Sequence, residues 1–296
     1  MKIHLASHYG MCFGVRDAIE TTMKLAAKTP ATVLGELVHN PVVATDLESV
    51  GIKSSSLQSP KPAPTPDVVI TAHGASNRDR RHWQDLGHRV TDTTCPLVHR
   101  AHEALARLVD SGHHPVVVGH VGHVEVRGLV GDFPGATVIE GIEDIPSIPD
   151  SDKIGIISQT TQPIDHVQHL VSRVRSARPS SKVTFEDTVC QPTKNRQQAI
   201  HDLCNKCDVI IVVGGSNSNN THQLVVKVRS LGKTAYHIEG RGDLEPAWFN
   251  NAESVGITAG TSTLPKTVDD VRTAIEEIAR RHTPENRDPH PTPAGS

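Results

Sequence analysis

Six short aliphatic runs recur along the chain, each closing on a polar or glycine-containing loop: TVLGEL, DVVITAHG, HPVVVGH, KIGIISQTT, DVIIVVGG and SVGITAG. Between them lie stretches with apolar residues at helical spacing, such as LVHRAHEALARLV. Runs like these suit strands buried on both faces. Their alternation with helical stretches predicts an α/β protein with parallel sheets. The N-terminal MKIHLASHYG lacks a signal-peptide core and reads as one more strand. No apolar run approaches the roughly 18 residues of a membrane span. Two stretches break the pattern. SSSLQSPKPAPTPD (54–67) and HTPENRDPHPTPAGS (282–296) are polar and Pro-rich, and both are expected to be unstructured, the second as a disordered tail.

The pattern repeats three times. Cys12, Cys95 and Cys190 each stand alone, in HYGMCFGVRDAIE, TDTTCPLVHR and FEDTVCQPTKNRQQAI, where an apolar run ends and a helix begins. A second strand–loop–helix unit follows each cysteine. Its loop residues His39, His123 and Ser218 lie 27, 28 and 28 positions downstream. A third unit supplies His73, Thr160 and Ser262, another 34, 37 and 44 positions on. Ligands of parallel α/β sheets bind outside the carboxyl ends of the strands. Thirds packed about a pseudo-threefold axis would therefore turn all these loops toward one centre.

Three cysteines meeting there at helix N-termini, where the dipole favours thiolate, suit a soft metal. A 4Fe–4S cluster with three Cys ligands and one open iron is one reading; zinc on three cysteines and a water is the other. Five cysteines without secreted spacing point to a reducing compartment, the cytoplasm. Cys204 and Cys207 form CNKC late in a helix, have no second CxxC, and read as packing residues. GGSNSNNT opens a helix after a buried strand, so its backbone N–H groups, Ser218, Asn219 and Asn220 could donate to a phosphate. AGTST repeats this with Ser262, and His39 and His73 come from equivalent loops. No P-loop or GxGxxG fingerprint is present, which leaves ATP and NAD without support. GHVGHVEVRG sets His120 and His123 beside Glu125, a carboxyl suited to proton delivery, and SQTT adds the hydroxyls of Thr160 and Thr161. The formal charge of −3 gives no sign of attraction to nucleic acid or membrane. A zinc hydrolase of a phosphorylated substrate and a non-catalytic iron–sulfur sensor are the other classes this pattern admits.

The ordered set GMCFGV, GELVHNPVV, TAHGAS, TTCPLV, GHVEV, SQTT, DTVCQPTKNRQ, GGSNSNN and TAGTS spans nearly the whole chain. It resembles the LytB family of 4-hydroxy-3-methylbut-2-enyl diphosphate reductases. The resemblance implies a trefoil of three α/β units (14–95, 96–189, and 190–281 with 1–13) around a 4Fe–4S cluster on Cys12, Cys95 and Cys190. It implies reductive dehydroxylation of an allylic diphosphate to isopentenyl and dimethylallyl diphosphates, the last step of the methylerythritol phosphate route, with a ferredoxin or flavodoxin-type electron donor. By position, His39, His73, His123, Ser218, Asn219, Asn220 and Ser262 would hold the diphosphate. Glu125 would donate the proton, and Thr160 would position the substrate hydroxyl. The chain departs from the family pattern at Val124 (usually Pro), Arg127 (usually acidic), Leu129 (usually Thr) and Asn219 (usually Ser).

Overall fold

The structure, a computed structural model, describes residues 1–281. The expected tail, 282–296, lies outside the described residues. In chain order, β1 (Lys2–Leu5) runs toward Cys12 and α1 (Phe13–Ala26). There follow β2 (Ala31–Leu34), α2 (Pro41–Ser49), β3 (Lys53–Ser55), β4 (Asp67–Ile70), α3 (Asn77–Asp85) and β5 (Arg89–Asp92). The second round is α4 (Pro96–Asp110), β6 (His114–Val118), α5 (Val124–Val130), β7 (Thr137–Ile139), β8 (Lys153–Ser158), α6 (Ile164–Ala177) and β9 (Lys182–Phe185). The third is α7 (Gln191–Cys204), β10 (Val209–Val213), α8 (Asn219–Ser230), β11 (Thr234–Ile238), β12 (Ser254–Ala259) and α9 (Pro265–Arg281).

The strands form three four-stranded sheets of the same order, β3-β2-β4-β5, β7-β6-β8-β9 and β11-β10-β12-β1, with every pairing parallel. The six aliphatic runs supply the two central strands of each sheet, where both faces are covered. Val116, Val117 and Val118 of β6 are wholly buried, as are Ile210 to Val213 of β10. Each sheet ends on the strand that leads to the next cysteine. In the third sheet that place is taken by β1 from the start of the chain, with Ile3 opposite Val255. The N-terminus and the last third thus share one sheet.

The Pro/Ser-rich stretch 54–67 corrects one expectation. Its ends belong to β3 and β4, and its middle is fastened down. Trp83 of α3, fully buried, donates Nε1 to Leu57 O at 3.0 Å. His88 receives Ala63 N at 3.1 Å and bonds Thr65 O at 3.0 Å. Prolines there limit the unfolded chain, while one tryptophan supplies the apolar anchor that composition alone does not reveal. Trp83→Ala is expected to cost about 3–5 kcal/mol of unfolding free energy, the usual cost of emptying a core aromatic site. A denaturant midpoint close to the parent's would show that the stretch is not docked on this ring.

Cys204 and Cys207 are buried in the apolar cluster of Leu203, Ile210 and Val212. Burial pushes the Cys207 thiol up to about 11, as expected of a packing residue.

Candidate functional site

One corner of each sheet is built alike. The backbone N–H of every solitary cysteine donates to a loop carbonyl past the neighbouring central strand: Cys12 to Thr261 at 3.0 Å, Cys95 to Ala72 at 3.1 Å and Cys190 to Thr160 at 2.9 Å. This register makes His73, Thr161 and Ser262 the equivalent loop residues. Sequence offsets align Thr160 with them instead, one position too early, because the connecting segments differ in length.

The three corners meet. An ideal Cβ on Gly14 would lie 2.5 Å from Cys95 Sγ, so the start of α1 abuts the second cysteine and only glycine allows it. Cys12 acts electrostatically on both Cys95 and Cys190. Each cysteine is the N-cap residue of its helix. The expected bias toward thiolate does not hold at Cys95 and Cys190. Backbone N–H groups of Leu97 and Val98 do favour the Cys95 thiolate, but burial outweighs them and pushes the thiol up to about 11. Cys190 is raised for the same reason. Such thiols ionise when a metal takes the proton's place.

Among the described residues no three His, Cys, Asp or Glu side chains gather to hold a single metal ion. Thiolates on one zinc would lie roughly 3.8 Å apart, from Zn–S bonds of about 2.3 Å. Ligands to different irons of one cluster stand wider. A second observation concerns charge. Arg196 is 5% exposed, its Nε lacks a partner among the described residues, and thiolates at Cys12 and Cys190 would act on it electrostatically. An anionic multi-thiolate group fits this surrounding.

Histidines from two of the sheets gather in one place. The His39 and His73 ring centroids lie 4.2 Å apart, and His123 is 5.6 and 5.7 Å from them. They line a cavity with Ser218, Asn219, Asn220 and Ser262. Buried His73 Nδ1 and Asn219 Nδ2 have no partner among the described residues. Ser218 caps α8, accepting from Thr221 N at 3.3 Å, and Asn220 Oδ1 accepts from Thr261 N at 3.0 Å. Ser262 donates Oγ to His39 O at 2.7 Å, joining the first and last thirds. Burial holds His73 well below the usual histidine range and His123 at about 4, with mutual repulsion adding to both. Among the described residues no Lys or Arg lines this cavity.

Glu125 is the buried acid of this region. It is 2% exposed, shares the cavity with His73 and His123, and acts electrostatically on Cys190. Its Oε1 accepts from Thr160 N at 2.6 Å and its Oε2 from Thr160 Oγ1 at 3.1 Å. Burial raises its pKa to about 7 against the pull of those two donors. His123 Nδ1 accepts from Glu125 N at 3.1 Å, so the α5 start is held although Val124 stands where proline is usual. Leu129 is buried in the core, Arg127 is exposed, and His120 turns outward to Glu140 at 3.0 Å.

Sequence reasoning passed over Glu36. Its Oε2 is 2.8 Å from His39 Nδ1, and it accepts from Asn217 Nδ2 at 2.9 Å, tying the His39 loop to the Ser218 loop. Its place three residues before His39 was the available signal.

The sequence model of the LytB protein family matches residues 3–276. The 4-hydroxy-3-methylbut-2-enyl diphosphate reductase of Geotalea daltonii is 34% identical over 282 residues, covering 95% of this chain and 99% of the relative. That of Aquifex aeolicus is 33% identical over 284 residues, covering 94% and 97%. The solved reductase of Plasmodium falciparum superposes with a TM-score of 0.85 at 26% identity, covering 96% of this chain and 89% of the other. A second solved structure, described as the terminal enzyme of the non-mevalonate pathway, is 32% identical with a TM-score of 0.68, covering 94% and 100%.

Proposed function

The chain belongs to the LytB family of 4-hydroxy-3-methylbut-2-enyl diphosphate reductases, and from that premise we propose which of its residues carry the reaction. The protein is an oxidoreductase that converts 4-hydroxy-3-methylbut-2-enyl diphosphate to isopentenyl and dimethylallyl diphosphates, the terminal step of the non-mevalonate pathway. The conversion consumes two electrons and two protons, breaks the allylic C–O bond and releases water. An iron–sulfur cluster belongs to the family and, when bound, supplies the electrons for that cleavage.

Cys12, Cys95 and Cys190 would hold the cluster, leaving one iron without a protein ligand. His39, His73, His123, Ser218, Asn219, Asn220 and Ser262 would bind the diphosphate. An anion entering the cavity would raise the basicity of His73 and His123, so binding would draw protons onto them. The N-terminus of α8 would add backbone donors. Glu125 would protonate the departing hydroxyl, with Thr160 Oγ1 as the atom that passes the proton on. The observation that supports this reading is a buried carboxyl, bonded to Thr160, that lines the cavity of the three histidines and acts electrostatically on Cys190.

The units would be residues 14–95, 96–189, and 190–281 with 1–13, since β1 completes the last sheet. The free thiols suit the cytoplasm. A ferredoxin or flavodoxin-type protein would deliver the electrons. Among the described residues no helix is long and apolar enough to cross a membrane.

Anaerobic purification with iron and sulfide counting, then turnover with a reduced dye, tests the reading. Brown protein that forms both C5 diphosphates is expected. Colourless protein releasing orthophosphate would make it a zinc hydrolase. Brown protein inert toward this substrate would make it a sensor.

A further inference from the structure

Arg196 is a buried cation without a buried anion. It sits in the second turn of α7, 5% exposed, and no carboxylate forms an ion pair with it among the described residues. Its Nη1 donates to Pro192 O at 2.9 Å, and its Nη2 donates to Gly10 O. Gly10 adopts a left-handed backbone (φ 68°), where glycine is favoured, and its own N–H is held by Ala259 O at 3.1 Å. The guanidinium therefore bridges the loop that delivers Cys12 and the helix that starts at Cys190. Both cysteines, as thiolates, act on it electrostatically, and Nε is left without a partner among the described residues. Two carbonyl oxygens satisfy N–H groups but do not neutralise a charge, and an uncompensated buried charge costs several kcal/mol. Nature rarely leaves such a group in place unless an anion comes to it.

We infer that Arg196 is the built-in counter-ion of the group held by Cys12, Cys95 and Cys190, and that its charge sets that group's reduction potential. This rests on the cluster reading above. A 4Fe–4S core with three thiolates carries net negative charge and becomes more negative on reduction. A fixed positive charge close by, in surroundings of low dielectric, stabilises the reduced form more than the oxidised form. Its removal makes the cluster harder to reduce. Arg196 touches no reacting atom in this picture, so it acts through the cluster and not as a catalytic residue.

The test compares cluster-loaded parent protein with Arg196→Gln and Arg196→Lys. Iron and sulfide are counted in the parent first. If the parent carries no cluster, the cluster reading itself fails, separately from this inference. With a loaded parent, the midpoint potential of each protein is titrated and followed by the spectrum of the reduced cluster. Arg196→Gln is expected to shift the potential to more negative values, while Arg196→Lys, which keeps the charge and loses the two-carbonyl bridge, stays near the parent. Equal shifts in both variants would assign the effect to the lost bridge and overturn the counter-ion. No shift in Arg196→Gln would overturn it too. If Arg196→Gln folds with the parent's far-UV spectrum and apo melting temperature but takes up no cluster, while Arg196→Lys loads, the charge is needed for assembly, which supports the inference. If neither variant loads, the bridge is what matters and the counter-ion role is wrong.

Discussion

Serine at any one of Cys12, Cys95 or Cys190 is expected to remove the iron and all turnover, and Cys204→Ser with Cys207→Ser to remove neither. The contrast follows from position. The first three cysteines each follow an edge strand of a different sheet, and each is pinned by its backbone N–H to a loop residue past a central strand. Removing one takes away a third of the ligand set, and no spare cysteine stands at the same corner. Serine keeps the size and the N-cap position, so the fold should survive, as a melting curve of the metal-free protein can check. Cys204 and Cys207 lie under the β10 sheet among Leu203 and Ile210. Replacing them exchanges a weakly polar thiol for a hydroxyl in an apolar core. That change costs stability, on the order of 1–3 kcal/mol per site without a new partner, but leaves the iron in place. Loss of iron in the double variant would mean that the ligand assignment is wrong.

The sequence was most legible where physics acts along the chain. Buried parallel strands need aliphatic runs, so β2, β4, β6, β8, β10 and β12 stand out. Helix starts need caps, so the loops of His123 and Ser218 announce themselves. The repeat spacing then brought Cys12, Cys95 and Cys190 together. What the sequence hid depends on neighbours distant in the chain. The edge strands β3, β7 and β11 are short or partly polar and take their form from the central strands beside them. The stretch 54–67 is ordered by Trp83, some 20 residues later. Whether the cysteines favour thiolate is decided by burial, which outweighs the helix-end contribution visible in sequence. Arg196 looks like one more basic residue of a surface helix until its burial is known. Thr160 shows both limits. The repeat found its loop, but only the hydrogen bond from Cys190 N shows that Thr161 is the true counterpart of His73 and Ser262.

Glu125→Gln is expected to keep the iron, the colour and substrate binding, yet lose roughly 10²–10⁴ of the turnover, the range for a positioned general acid. Hydroxide is a poor leaving group, so the C–O bond breaks readily only if a proton reaches the oxygen. Glu125 can hold that proton at neutral pH because burial raises its pKa to about 7 from an ordinary 4.5. Glutamine fits the same space and accepts from Thr160 N, but it cannot give up a proton and restore itself. The pH dependence carries the same information with a definite sign. A carboxyl raised in the folded protein is protonated, and competent as an acid, below about 7. The kcat/KM of the parent should therefore fall as pH rises through about 7, and that limb should vanish in Glu125→Gln. Stability runs the same way, because the folded state holds a proton that the unfolded chain releases above about 4.5; folding gains from this site at low pH and loses that gain between about 4.5 and 7. His123→Asn separates the two roles, since it should weaken substrate binding as well as slow the reaction. Single turnover with pre-reduced enzyme removes the electron donor from the comparison. A Glu125→Gln protein that reduces substrate at close to the parent rate, with the limb near pH 7 intact, would move the proton donor to water or a histidine.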